Sequence, residues 1–339
     1  MGDKKIKILI IKGCDVHTRF RIVPGFTAYG CSVTVVERYK DLTGERFDLT
    51  LVDPSVNFDP TSKLNTDKLM FYDCEDGPED FKSGEAYDVL KNKVIAYAKM
   101  NWVDDDSRDD GIKNIGFPLP CYKNLFHVAS ITLPEFNYGH SIPMLVASPT
   151  FIGRYIPIKD GLYNQEDGIN CLAKHESNSE AEFMYNQRID WLLSLRKNNI
   201  FHIGGLSFGG DNLSYDFQSK YFGQNVKELS TNRIGYSDTI KNAIYYRIGL
   251  CPSGHERISW RIFDLMATGS ILIWTDNKLQ KSMIMPEEYI TVYDGQDLGS
   301  KLLSIQKDYK EIWRACQKNR DLLKLNDEKV IQIFNNQYR

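Results

Sequence analysis

Between positions 255 and 264 the chain sets two carboxylates, Glu256 and Asp264, eight residues apart, with His255, Arg257 and Arg261 beside and between them. Arginine and histidine neutralise an anion, and carboxylates accept hydrogen bonds from hydroxyl groups. Eight residues along a helix span ~12 Å. The two acids therefore have the separation to hold opposite ends of one elongated ligand carrying both hydroxyls and negative charge.

The elements around them supply the means of positioning. An apolar run over residues 245–251 reads as a buried strand, and Pro252, Ser253 and Gly254 break it. Ser259 is the expected cap of a helix whose apolar positions Ile262, Phe263 and Met266 share one face. Gly269 ends that helix and a second apolar strand, 270–274, follows at once. The unit reads strand, loop, helix, strand, with a helix N-terminus free to receive an anion.

With Pro252, Gly254, Ser259, Arg261, Phe263, Ala267, Gly269 and Ile271 in register, this segment resembles the nucleotide-binding half of GT-B glycosyltransferases, and in wording the exostosin-like family. The resemblance implies that Asp264, where the family has Glu, receives the ribose hydroxyls of a sugar nucleotide and that Arg261 neutralises its diphosphate. Aspartate is one methylene shorter, so the ribose sits closer to the helix or a water bridges the gap. Retaining GT-B enzymes carry Glu-x7-Glu, a spacing that Glu256 and Asp264 share, although the exostosin signature has Gly where Glu256 stands. The two patterns leave the stereochemical outcome open. Gly254, His255, Glu256, Arg257, Ser259, Arg261 and Asp264 form the first donor-binding cluster on this reading.

A second cluster is expected at Gly204, Gly205 and Ser207, after an apolar run from Phe201. The GT-B plan puts the first turn of the second domain against the donor phosphates, where glycines let backbone N–H groups approach an anion. A plain tight turn explains a Gly-Gly pair equally well.

An inverting reaction needs a base at the carboxyl ends of the first domain's strands. Asp73, Glu75 and Asp76 form one candidate set, in which like-charged neighbours raise a carboxylate's proton affinity. His17, with Asp15 beside it, is the other. In a retaining front-face reaction no protein base is required, and Glu256 or Arg257 beside the donor carries more of the chemistry. Trp102, Tyr122, Phe136 and Tyr138 are candidates for an acceptor platform.

The expected fold class is α/β, two Rossmann-like domains facing a central cleft. Apolar runs at 6–11, 32–37, 47–52 and 68–72 alternate with helical stretches, as a parallel sheet requires. At 339 residues the chain suits two domains. The resemblance assigns 1–170 to an acceptor-binding domain, 171–315 to a nucleotide-sugar-binding domain, and 316–339 to a C-terminal helix crossing back to the first. Composition over 152–179 marks the expected linker, and 180–195 and 236–243 read as helices. The loop at 12–17 has one glycine, Gly13, where a dinucleotide fingerprint needs three, which argues against an NAD enzyme.

Composition excludes other classes. A net charge of −3 gives no general attraction to nucleic acid or anionic lipid. The N-terminal apolar run is too short and too charged for a signal peptide or membrane span, so a cytoplasmic location is expected, host cytoplasm for a viral protein. Seven scattered cysteines, none in a Cys-x-x-Cys pair, suggest neither disulfides nor structural zinc. The acidic stretch 104–110 does not follow a calcium-loop pattern and reads as a solvated loop.

The expected activity is thus metal-independent glycosyl transfer, with a nucleoside diphosphate sugar, UDP by default, as co-substrate and no prosthetic group. The acceptor is a glycan or glycoprotein. Two alternatives stand beside it: a glycosyltransferase acting on modified DNA bases, and a non-catalytic nucleotide- or glycan-binding module.

Overall fold

The computed structural model describes residues 5–11, 22–54, 56–57, 63–73, 85–99, 102–103, 111–112, 142–147, 178–206, 229, 236–252, 260–275, 280–281, 284–293 and 295–335. Within them the chain forms two parallel sheets flanked by helices.

The first sheet is built from β1 (Lys7–Ile11), β2 (Ser32–Val36), β4 (Leu49–Val52), β6 (Leu69–Asp73) and β7 (Ala96–Lys99). Its spatial order, β2-β1-β4-β6-β7, is 2-1-3-4-5 counted within the sheet. Short strands β3 (Arg46–Phe47) and β5 (Asn65–Thr66) pair beside it. Helices α1 (Val23–Ala28) and α2 (Glu85–Leu90) connect strands of this half. The strands β1, β4, β6 and β7 read as nearly continuous apolar runs because a parallel sheet is covered on both faces. Phe71 and Tyr97, at 5.7 Å between ring centroids, lie in one face's cluster with Leu9 and Val52, while Ile8, Ile10, Met70 and Tyr72 lie in the other's.

The second sheet contains β9 (Ile142–Ala147), β10 (Ile203–Leu206), β11 (Arg247–Cys251), β12 (Ile271–Trp274) and β14 (Ile290–Thr291). Its order, β10-β9-β11-β12-β14, is again 2-1-3-4-5 within the sheet. The helices are α3 (Asn178–Lys197), α4 (Tyr236–Tyr246), α5 (Trp260–Ala267), α6 (Leu298–Ile305) and α7 (Tyr309–Asn335). Trp191, Leu192 and Leu195 of α3 and Leu298 and Leu302 of α6 bury one face over Ile248, Leu250, Ile271 and Ile273. Helices α5 and α7 pack together, and α7 also packs on β12. Leu323 of α7 joins a cluster that holds α5 and β12 side chains together with Ile22 and Phe26 from the first half.

Two corrections to the sequence reading concern this half. The second sheet starts with β9, whose Met144 to Ala147 pair with Ile203 to Leu206, so its first strand precedes the expected boundary at 170. Helix α4 also runs further than expected, through Tyr245 and Tyr246. Arg247 then takes a left-handed backbone, φ 65°, and turns the helix straight into β11. Two adjacent tyrosines favour a strand in isolation; the helix continues through them behind Ile240, Ala243 and Ile244, which pack in the core, while Tyr245 itself stays exposed.

One further pairing links the two halves. Strand β8 (Trp102–Val103) pairs antiparallel with β13 (Gln280–Lys281), Val103 opposite Gln280 and Trp102 opposite Lys281.

Candidate functional site

In an open parallel sheet a ligand binds beyond the carboxyl ends of the strands, where the order reverses. In the second sheet that point lies between β9 and β11. Strand β11 ends there at Cys251, followed by buried Pro252, and the chain re-enters the described residues at Trp260, the start of α5. The described ends of the segment that holds the sequence-derived donor cluster, Pro252 and Trp260, therefore belong to the connection that leaves β11 beside this switch point. Gly254, His255, Glu256, Arg257 and Ser259 lie outside the described residues, while Arg261 and Asp264 lie within α5.

Helix α5 is held close to the sheet. A Cβ on Gly249 of β11 would stand 2.3 Å from Leu265 Cδ2 and 2.6 Å from Cδ1, so glycine is what admits the leucine. Ile262, Phe263, Leu265 and Met266 are all at most 2% exposed. Burying such side chains stabilises by about 1.5–3 kcal/mol each. The helix is buried nearly all round rather than on one face. Arg261 is its one partly exposed position, and Asp264, at 7%, is a buried acid. At 1.5 Å rise per residue, Arg261 and Asp264 are about 4.5 Å apart along the axis.

The C-terminus of α5 ends as the sequence indicates. Gly269, φ 64°, donates its N–H to Met266 O at 3.0 Å, and Ser270 N donates to Leu265 O at 3.1 Å. This is the Schellman pattern, with glycine at the left-handed position. Gln317 of α7 donates from Nε2 to Gly269 O at 2.9 Å and to Trp313 O at 2.8 Å, tying the long helix to this end. Asn319, fully buried on α7, accepts at Oδ1 from the N–H groups of Glu287 (2.9 Å) and Glu288 (3.1 Å), fixing the turn before β14.

Gly204 and Gly205 lie inside β10, opposite Leu145 and Val146, with φ of 85° and 158°. They do not form the first turn of the second domain, because β9 and not β10 is the first strand; Ser207, one residue past β10, is outside the described residues. In this topology the first turn of the sheet is the one that follows β9, in residues outside the described ones. Its sequence carries Gly153, Arg154 and Lys159, a glycine followed by two cations that the linker-like composition of 152–179 obscured.

In the first sheet the switch point lies between β1 and β4. The chain leaving β1 carries Asp15 and His17, outside the described residues, as are Glu75 and Asp76. Asp53, directly after β4, is 2% exposed and donates its N–H to Ile11 O at 3.2 Å. The neighbouring Tyr39 is also buried, and burial followed by the charge of Asp53 pushes its phenol well above the usual range. Sequence reading passed over Asp53, for which Asp-Pro after an apolar run was the available signal.

Asp73 ends β6 and is 1% exposed. Its Oδ2 accepts from Tyr97 Oη at 2.8 Å and from Lys99 Nζ at 3.0 Å, and Lys99, opposite it on β7, is fully buried. One of the candidate bases is thus engaged in an enclosed ion pair. Lys99 was not singled out from sequence, since a lone lysine after an apolar run carries no signal of a partner 26 residues away.

Among the described residues, no group of three or more His, Cys, Asp and Glu side chains is placed to hold a metal ion; the acidic stretch 104–110 falls outside them. No described helix is long and apolar enough to cross a membrane.

No protein-family model and no curated sequence matches the chain. Solved structures do match it in fold. An alpha-glucosyltransferase in complex with UDP and a 13-mer DNA containing a central A:G mismatch is similar over 98% of this chain and 99% of its own, at 12% identity and a TM-score of 0.55. The sucrose-phosphate synthase of Thermosynechococcus elongatus is similar over 98% of both chains, at 10% identity and a TM-score of 0.56. A TarM variant from S. aureus, in complex with Fondaparinux, alpha-GlcNAc-glycerol and UDP, is similar over 85% of this chain at 10% identity and a TM-score of 0.50; this chain spans 54% of that one. At these identities the likeness carries the fold, which is GT-B, two Rossmann-like units of one topology.

Proposed function

We propose that the protein is a glycosyltransferase that moves a sugar from a nucleoside diphosphate sugar, UDP by default, to a glycan or glycoprotein. The single observation that carries this reading is the position of Pro252, directly after β11, and of Arg261 and Asp264 on α5. They flank the connection that leaves β11 beside the switch point of the second sheet in a GT-B fold, with Asp264 a buried acid one turn into α5, which supports reading that connection as the donor site.

In this reading the ribose hydroxyls donate to Asp264, and Arg261, at the first turn of α5, neutralises the diphosphate with the help of the helix N-terminus. His255 and Arg257 in the preceding loop, and Arg154 and Lys159 in the chain leaving β9, add positive charge for the departing diphosphate. Glu256 meets the donor sugar. The acceptor lies at the carboxyl edge of the first sheet. If configuration is inverted, the proton from the acceptor hydroxyl goes to a base there. Asp73 is engaged by Tyr97 and Lys99, which favours Glu75, Asp76 or His17 for that role. The exostosin-like wording of the segment is part of this proposal, and so is freedom from metal, the cations of the site taking the metal's place.

A thermal-shift panel with UDP, GDP, ADP, CDP and dTDP and their sugars tests it. A ligand at 100 times its Kd adds ~2.7 kcal/mol, which raises Tm by a few degrees. A shift confined to one base, followed by release of that diphosphate from its sugar conjugate, is the expected result. A protein that melts cooperatively with no shift from any of them is not a sugar-nucleotide enzyme.

A further inference from the structure

The buried pair Asp73–Lys99 stands at the root of the pairing that joins the two halves. Lys99 ends β7 at the carboxyl edge of the first sheet, and Trp102, the third residue beyond it, opens β8. Strand β13 begins at Gln280, the sixth residue beyond Trp274, where β12 ends at the carboxyl edge of the second sheet. The antiparallel β8–β13 ladder therefore connects the carboxyl edges of both sheets, the edges at which a GT-B ligand binds. A ladder of two residues on each strand is too short to hold its own geometry, since isolated two-stranded ribbons are marginal in water. Its fixed end is β7. There Lys99 is fully buried against Asp73 Oδ2 at 3.0 Å, and Tyr97 Oη reaches the same oxygen at 2.8 Å. An enclosed ion pair is weak evidence of stability, because neutral packing often does as well; what it supplies here is a fixed partner for Lys99 across β6 and β7 at the sheet's carboxyl edge.

We propose that Asp73, Tyr97 and Lys99 are positioning residues that anchor a clasp, β8–β13, which sets the first sheet's edge against the donor-binding edge of the second. This rests on the glycosyltransferase reading for its functional consequence, though not for the clasp itself. Nucleotide binding belongs to the second sheet alone and is independent of the clasp. Attack on the donor, by an acceptor hydroxyl or by water, needs both edges in register, because the base that takes the attacking oxygen's proton belongs to the first sheet's edge and the departing diphosphate to the second; a misplacement of about 1 Å costs as much as 100-fold in rate.

Hydrogen exchange tests the clasp, and kinetics tests its role. In the wild-type protein the ladder amides of Trp102–Val103 and Gln280–Lys281 are expected to be protected. Free exchange at both strands overturns the clasp, whatever the protein binds. Two variants follow: the neutral pair Asp73→Asn/Lys99→Met, and Trp102→Pro/Val103→Pro, which removes both backbone donors of β8. Each is read for UDP affinity and for UDP release from UDP-glucose with water as acceptor. In that reaction the bond from C1 to the diphosphate breaks, the water oxygen bonds C1, and its proton is released. The expected result is UDP affinity within twofold of wild type, turnover at least tenfold lower for the neutral pair and the proline variant, and lost protection at 280–281. Unchanged turnover in both, or affinity falling in step with turnover, overturns the positioning role. A wild-type protein that protects both strands but binds no nucleotide defeats the glycosyltransferase reading and the role of the clasp in it, and leaves the clasp standing.

Discussion

Gly249 of β11 and Leu265 of α5 fit together only because the glycine has no side chain: a Cβ at 249 would stand 2.3 Å from Leu265 Cδ2. The helix that carries Arg261 and Asp264 thereby rests directly on the central strand of the proposed donor site. Gly249→Ala forces that leucine, and with it α5, off the sheet. Overpacking of this kind costs about 1–3 kcal/mol. Urea denaturation is expected to show that loss, and UDP titration a weaker affinity, because the helix N-terminus moves with the leucine.

Asp264→Ala and Arg261→Ala are expected to leave the fold intact and weaken UDP binding. A hydrogen bond to a charged group contributes about 1.5–3 kcal/mol, so each variant should lose roughly 10-fold to 100-fold in Kd by calorimetry. Unchanged affinity in both removes the donor site from α5.

Lys99→Met leaves the Asp73 carboxylate enclosed without its cation. Breaking a buried pair in this way destabilises by about 3–5 kcal/mol. The neutral pair Asp73→Asn/Lys99→Met restores most of that, since no charge remains to be solvated. Chemical denaturation of these two variants and of Asp73→Asn alone gives the coupling directly, and additive losses would show that the pair is not a unit.

Asp297 caps α6. Its carboxylate accepts from Ser300 N at 2.7 Å and from Asn198 Nδ2 at 2.9 Å. These hydrogen bonds, the backbone one from Ser300 foremost, hold its pKa down at about 2. The folded value lies below the unfolded one of about 3.9, so the stabilisation is fully present above pH ~4 and is lost as pH falls toward 2. Asp297→Ala should cost about 1 kcal/mol at neutral pH and flatten the acid limb of a stability profile between pH 4 and 2. An equally steep acid limb in the variant assigns it to other carboxylates.

Much of the second half was legible locally. The unit from β11 through α5 to β12, the stop at Gly269 and the helices α3 and α4 rest on apolar periodicity, caps and glycine geometry, which act within a few residues. The membership of Ile142–Ala147 in the second sheet was not legible. An apolar strand looks the same whichever sheet it joins, and the polar composition after it suggested a boundary between two strands, β9 and β10, that pair in one sheet.

What the sequence determined by itself was the α/β character, the doubling of the fold and the residue types gathered at 252–264, because hydrophobic period and turn chemistry are local properties. Only the tertiary structure decided that β9 opens the second sheet, that Gly204 and Gly205 lie within a strand, that Asp73 is paired with Lys99, and that β8 meets β13. Each of these depends on which distant segments share a sheet edge. Pairing across tens of residues is fixed by the packing of whole layers, to which no short stretch of chain holds the key.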